Sequence, residues 1–129
     1  PAKYPKESSF AFHEYADLAI SLEQVRENVA RDGLLDDQVR FLKGWFRDTL
    51  PTAPIEKLAL MRLDGDLYES TMDGLAALYP KLSRGGFAII DDYNIIQSCN
   101  EAVDDFRRER GIREPLSLIE GGGAFWRKA

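Results

Sequence analysis

The sequence is poor in several things that would each point to a different chemistry. It has one cysteine, Cys99, which excludes an internal disulfide and a cysteine-built zinc site. It has one histidine, His13, so no histidine cluster can ligate a metal. It lacks an excess of basic residues: 17 Lys and Arg stand against 22 Asp and Glu, a net charge of −5, which argues against nucleic acid as the main partner. No apolar run approaches the roughly 20 residues that cross a bilayer, so no membrane partner is expected. No basic-then-apolar leader opens the chain, and the expected location is cytoplasmic. The first residue is Pro1 rather than Met, a hint of processing or of a partial chain. What remains, 129 residues with 44% hydrophobic and 30% charged, has the size and balance of one globular domain.

Residues 1–9 carry Pro1 and Pro5 and read as a loop or arm. Phe12, Tyr15, Ala16 and Ala19 recur at helical spacing over 10–20. Ser21 and Gln24 form a capping box for a helix with Leu22, Val25 and Val29 on one face and Gly33 at its stop. Val39 to Lys43 reads as a short strand, and Lys57 to Leu63 as a second, ending in Asp64-Gly65-Asp66. Ser70 or Thr71 can cap a helix with Met72, Leu75, Leu78 and Tyr79 inside. Gly85-Gly86 are expected to turn the chain into a third strand, Phe87 to Ile90, which ends in Asp91-Asp92. Ser98 and Glu101 form a further capping box, with Ala102, Val103 and Phe106 inward and Gly111 at the helix end. Leu116 to Ile119 and Ala124 to Lys128 read as a closing hairpin around Gly121 to Gly123. This alternation predicts an α/β fold, mostly parallel, with one antiparallel hairpin.

Ligands in open α/β sheets bind at the carboxyl ends of strands. Two strands here end in acid, at Asp64-Gly65-Asp66 and Asp91-Asp92. If they are neighbours, about 4.8 Å apart, up to four carboxylates converge and need a positive partner. Neither cluster contains a Lys, Arg or His; Arg62 is nearest and shares a face with Asp64 only if the strand stays regular. A hard cation such as magnesium or calcium suits such oxygens. The plainer alternative is two turns, with Asp66 capping the next segment. An enzyme acting on phosphates would need a basic group beside the acids.

Other residues carry double readings. Trp45 and Phe46, after Gly44, stand at a strand end where an aromatic can stack on a flat ring, or they belong to the core. His13 is either a base on a lid or a surface residue; Cys99 has no histidine partner and is not expected to be a nucleophile. Trp126 is expected in the core or an interface, and Asp36-Asp37, Asp104-Asp105 and Arg107-Arg108 on solvated faces.

The stretch LLDDQVRFLKGWFRDTLP at 34–51, the motifs RLDGDLYEST and GGFAIIDDY within 60–93, EAVDDFRRERGI at 101–112 and GAFWRK at 123–128 resemble the macrocin O-methyltransferase family. That resemblance implies a Rossmann-like sheet and S-adenosylmethionine-dependent methylation of sugar hydroxyls on macrolide or aminocoumarin glycosides. It implies a magnesium ion held by Asp64, Asp91 and Asp92, with Asp64 also the general base. It places Gly44, Trp45 and Phe46 at the adenine side of the cofactor, and the segment from Phe10 to Ser21 over the acceptor. Enzymes of this kind open with a strand and a glycine-rich loop for the cofactor. Gly85-Gly86 and Gly121 to Gly123 cannot play that part. Residues 1–129 are therefore expected to form the C-terminal part of one methyltransferase domain. An apolar flank would then be covered in a homo-oligomer or by an N-terminal half. The alternative is a truncated, non-catalytic domain.

Overall fold

The computed structural model describes residues 20–129. The arm at 1–9, His13 and most of the helix expected over 10–20 lie outside the described residues. The main elements, in chain order, are α1 (Leu22–Arg31), α2 (Phe46–Thr49), β1 (Leu58–Leu63), α3 (Tyr68–Leu78), β2 (Leu82–Ile90), α4 (Gln97–Glu109), β3 (Ser117–Leu118) and β4 (Ala124–Arg127). The strand order is β1-β2-β4-β3. β1 and β2 run parallel, while the β2–β4 and β4–β3 ladders are antiparallel, so the sheet is mixed and closes with the expected hairpin.

Alternation along the strands decides which side is buried. Met61 and Leu63 of β1, Ala88 and Ile90 of β2, and Ala124 and Trp126 of β4 point to one face, where all are buried. Leu75 of α3 and Ala102, Val103 and Phe106 of α4 close over that face in a single core. Trp126 is at its centre. Its indole N–H donates to the Tyr79 hydroxyl at 3.3 Å, and the Arg107 guanidinium lies 4.8 Å from its ring centroid. The opposite face keeps Leu60 and Phe87 exposed, as register partners across the β1–β2 ladder.

Several expectations change at the element ends. Val39 to Lys43 pairs with no strand among the described residues; it is an extended loop. The α1 cap forms as expected, with Ser21 Oγ accepting the Gln24 N–H at 3.1 Å, worth about 1 kcal/mol. The Gln24 side chain donates to Asn28 rather than closing the box. α3 starts at Tyr68, so Ser70 and Thr71 lie inside it. The Ser70 hydroxyl turns back to the Gly65 and Leu67 carbonyls instead of capping. α4 starts at Gln97, one residue before Ser98, whose hydroxyl donates to the Asp66 carbonyl at 3.2 Å. Gly85 and Gly86 are not a turn before β2 but a bulge within it. Pairing jumps from Leu58↔Leu82 to Leu60↔Phe87. Gly85 has φ +79°, and a Cβ on Gly86 would sit 2.7 Å from the Ala59 carbonyl oxygen.

Of the charged runs on α4, Asp104 and Arg108 are exposed as expected, while Asp105 and Arg107 are half-buried. Asp105 accepts the Tyr68 hydroxyl at 2.7 Å and Asp104 the Tyr93 hydroxyl at 2.8 Å. Both bonds tie α4 to segments that leave the carboxyl ends of β1 and β2.

Candidate functional site

Parallel pairing of β1 with β2 puts their carboxyl ends side by side. Leu63 faces Ile90 in the register. One oxygen from each of Asp64, Asp91 and Asp92 lies within 4.8 Å of the other two. The spread is close to the about 4–5 Å that separates opposite ligand oxygens around magnesium or calcium. All three donors are carboxylate oxygens, the set that a hard divalent cation prefers, so the residues fit such an ion.

The cluster differs from the sequence expectation in one respect: a positive group does reach it. β1 pairs regularly from Leu60 to Leu63, and Arg62, two residues before Asp64, reaches the same carboxylates. One guanidinium nitrogen, Nη2, lies 2.6 Å from Asp91 Oδ1 and 3.3 Å from Asp64 Oδ2. The strand period of two carries this signal in the motif RLDGD.

Electrostatics mark the cluster as crowded. Desolvation and then the charge of Asp91 push the Asp64 carboxyl above the ordinary aspartate range, against the pull of Arg62. Desolvation, followed by the Asp66 hydrogen bond and charge, pushes Asp92 up to about 6. Asp66, expected either as a fourth converging carboxylate or as a turn cap, joins the cluster through Asp92. It adopts φ +57°, a conformation few non-glycine residues take, which brings it to Asp92.

The turn at 64–66 also borders a cavity of about 600 Å³. Gly44, Trp45, Phe46 and Arg47 form one wall; Gly65, Asp66, Glu69, Ser70 and Asp73 form the other. The Phe46 ring packs on the turn, 3.4 Å from where a Cβ on Gly65 would stand. Trp45 is not a core residue: it is 73% exposed at the rim, with the Arg47 guanidinium 5.7 Å from its ring centroid. Arg47 is held in turn by Glu69 at 3.7 Å. The structure thus brings Gly44, Trp45 and Phe46 to the turn that carries Asp64. Cys99 is buried and its thiol is pushed up to about 11 by desolvation, the environment of a structural rather than a reactive cysteine.

The family model for macrocin-O-methyltransferase (TylF) matches residues 1–128. The chain belongs to the macrocin O-methyltransferase family. Its similarity to members of that family runs along most of its length. It is 64% identical, over 85% of this chain and 42% of the relative, to the 8-demethyl-8-(2,3-dimethoxy-alpha-L-rhamnosyl)-tetracenomycin-C 4'-O-methyltransferase of Streptomyces olivaceus. It is 51% identical, over 98% of this chain and 50% of the relative, to the mycinamicin III 3''-O-methyltransferase of Micromonospora griseorubida. Among solved structures, the O-methyltransferase NovP superposes with a TM-score of 0.95 at 49% identity, covering 99% of this chain and 53% of NovP. The chain therefore spans about half the length of the curated relatives it matches. Among the described residues, no helix is long and apolar enough to cross a membrane.

Proposed function

We propose that this chain contributes the acid cluster and part of the cofactor cavity to an enzyme that methylates a sugar hydroxyl of a natural-product glycoside. S-adenosylmethionine would be the donor and magnesium the metal. The supporting observation is the convergence of Asp64, Asp91 and Asp92 beside the cavity walled by Gly44, Trp45 and Phe46. The acceptor class rests on the relatives, whose names specify methylation of a rhamnosyl tetracenomycin and of mycinamicin III.

In this reading Asp64, Asp91 and Asp92 hold the metal. Bound magnesium supplies the positive charge that lowers the pKa of a sugar hydroxyl, and S-adenosylmethionine supplies the activated methyl. Asp64 would accept the hydroxyl proton at a carboxylate oxygen as the donor's carbon–sulfur bond gives way to the new oxygen–carbon bond, the sulfur leaving as a neutral thioether. Being half-exposed, Asp64 then passes the proton to solvent. Trp45 offers an open indole face for a flat ring, and Phe46 backs the turn that carries the base. The carboxylates of Asp66, Glu69 and Asp73 line the cavity as acceptors for hydroxyl or amine donors.

The test is methyl transfer by the full-length protein from S-adenosylmethionine to an undermethylated rhamnoside, followed by mass spectrometry with EDTA and then with added magnesium. Transfer that EDTA stops and magnesium restores supports the reading. Transfer indifferent to the chelator removes the metal from it. A second reading is a non-catalytic methyltransferase-like domain. Calorimetric titration with S-adenosylmethionine separates the two, because a remnant gives no heat.

A further inference from the structure

Arg62 reaches the acid cluster, and the proposed chemistry does not use it. Among the described residues, the salt bridges to Asp64 and to Asp91 both come from it, through a single nitrogen. We infer that Arg62 is a resident counter-cation of the cluster, bridging Asp64 and Asp91 until a divalent cation displaces it. The inference rests on the metal reading of these carboxylates.

Geometry and charge carry it. Asp64, Asp91 and Asp92 crowd together within 4.8 Å, and Asp66 adds a fourth acid beside Asp92. Left alone they repel, and the two strand ends would splay their side chains. The guanidinium offsets that repulsion at the two carboxylates nearest it. It cannot leave by losing a proton, since arginine stays charged at any working pH. It leaves only by exchange with another cation. The exchange is sterically open: the Arg62 side chain is 52% exposed and stands on the face of β1 away from the core. Swinging it outward breaks two half-exposed ion pairs. Metal binding is then a replacement of one positive charge by two, and the apparent affinity is lower than that of the same carboxylates without the arginine.

The test uses the full-length protein and magnesium chloride at fixed ionic strength, with binding followed by calorimetry and by the metal-induced rise in melting temperature. Arg62→Gln should tighten magnesium binding about three- to tenfold, the scale set by two exposed pairs. Arg62→Lys, which keeps the charge but loses the fork, should fall between Gln and wild type. The metal-free Arg62→Gln protein should melt lower than wild type, and magnesium should erase the gap. If wild type binds magnesium and Arg62→Gln binds it no tighter, the counter-cation role is overturned while the metal reading stands. If wild type binds no magnesium, the metal reading fails and the inference goes with it.

Discussion

Leu63 and Ile90 are register partners at the carboxyl ends of β1 and β2, and the Asp91 amide prolongs their ladder by donating to the Leu63 carbonyl at 2.9 Å. The residues that leave the sheet next, Asp64 and Asp91, are therefore side by side because of backbone pairing. The cluster is set by the register, and a side-chain substitution within it should change the chemistry without changing the fold.

Asp64→Asn removes a carboxylate oxygen from the cluster and the proposed base together. Methyl transfer should fall by about 10³-fold, with the far-ultraviolet circular dichroism of wild type retained. Steady-state rates with a saturating acceptor check this; a rate near that of wild type refutes the assignment.

Asp92→Ala should weaken magnesium binding by about tenfold or more while leaving the affinity for S-adenosylmethionine within about twofold. The basis is position: Asp92 stands with the acid cluster, and the cavity wall is formed by other residues. Parallel titrations of metal and cofactor distinguish this from a general loss of structure, in which both would weaken equally.

Asp92 also makes the metal-free protein sensitive to pH. Its carboxyl is pushed up to about 6 in the folded chain from an ordinary value of 3.8. The folded state therefore holds this proton more tightly than the unfolded state. That contribution to stability is full below the ordinary aspartate value and is lost as pH rises through about 6. In EDTA, the melting temperature of wild type relative to Asp92→Asn should fall across that interval. Added magnesium should reverse the trend, and its affinity should rise with pH as the proton is lost. A difference that is flat with pH contradicts the environment described for Asp92.

Trp45→Ala tests the cavity wall. The side chain is mostly exposed, so stability should change by no more than about 0.5 kcal/mol. Loss of a stacking face should raise the KM for S-adenosylmethionine about tenfold, with kcat little altered. An unchanged KM would remove Trp45 from the cofactor site.

Trp126→Ala should behave in the opposite way. Trp126 is buried, hydrogen-bonded to Tyr79 and covered by Arg107. Its truncation should cost about 3–5 kcal/mol in urea denaturation. Trp126→Phe should cost less, since it keeps an aromatic body and loses the indole N–H.

Much of this architecture was legible from spacing. The alternating residues of β1, the core face of α4 and the closing hairpin follow from periods of 2 and 3.6, and the acids at both strand ends stand out on that frame. The element starts were less legible. Ser70 and Ser98 are good capping residues by type, yet both donate their hydroxyls to carbonyls of the 64–67 turn, a use that only tertiary contact reveals. Val39 to Lys43 has strand composition, but a strand exists only with a partner, and none is present among the described residues. Arg62 was visible as a neighbour of Asp64. Its bridge to Asp91 depended on which strands pair, and composition does not carry that.

β1 is the outer member of the described sheet, hydrogen-bonded to β2 on one side only. Its other edge presents a row of amide and carbonyl groups with no strand against them among the described residues. A further parallel strand laid along that edge would run about 4.8 Å from β1 and finish next to Asp64. The acids now at the border of four strands would then occupy the middle of a wider sheet, and the added segment's terminal loop would look directly onto the carboxylates.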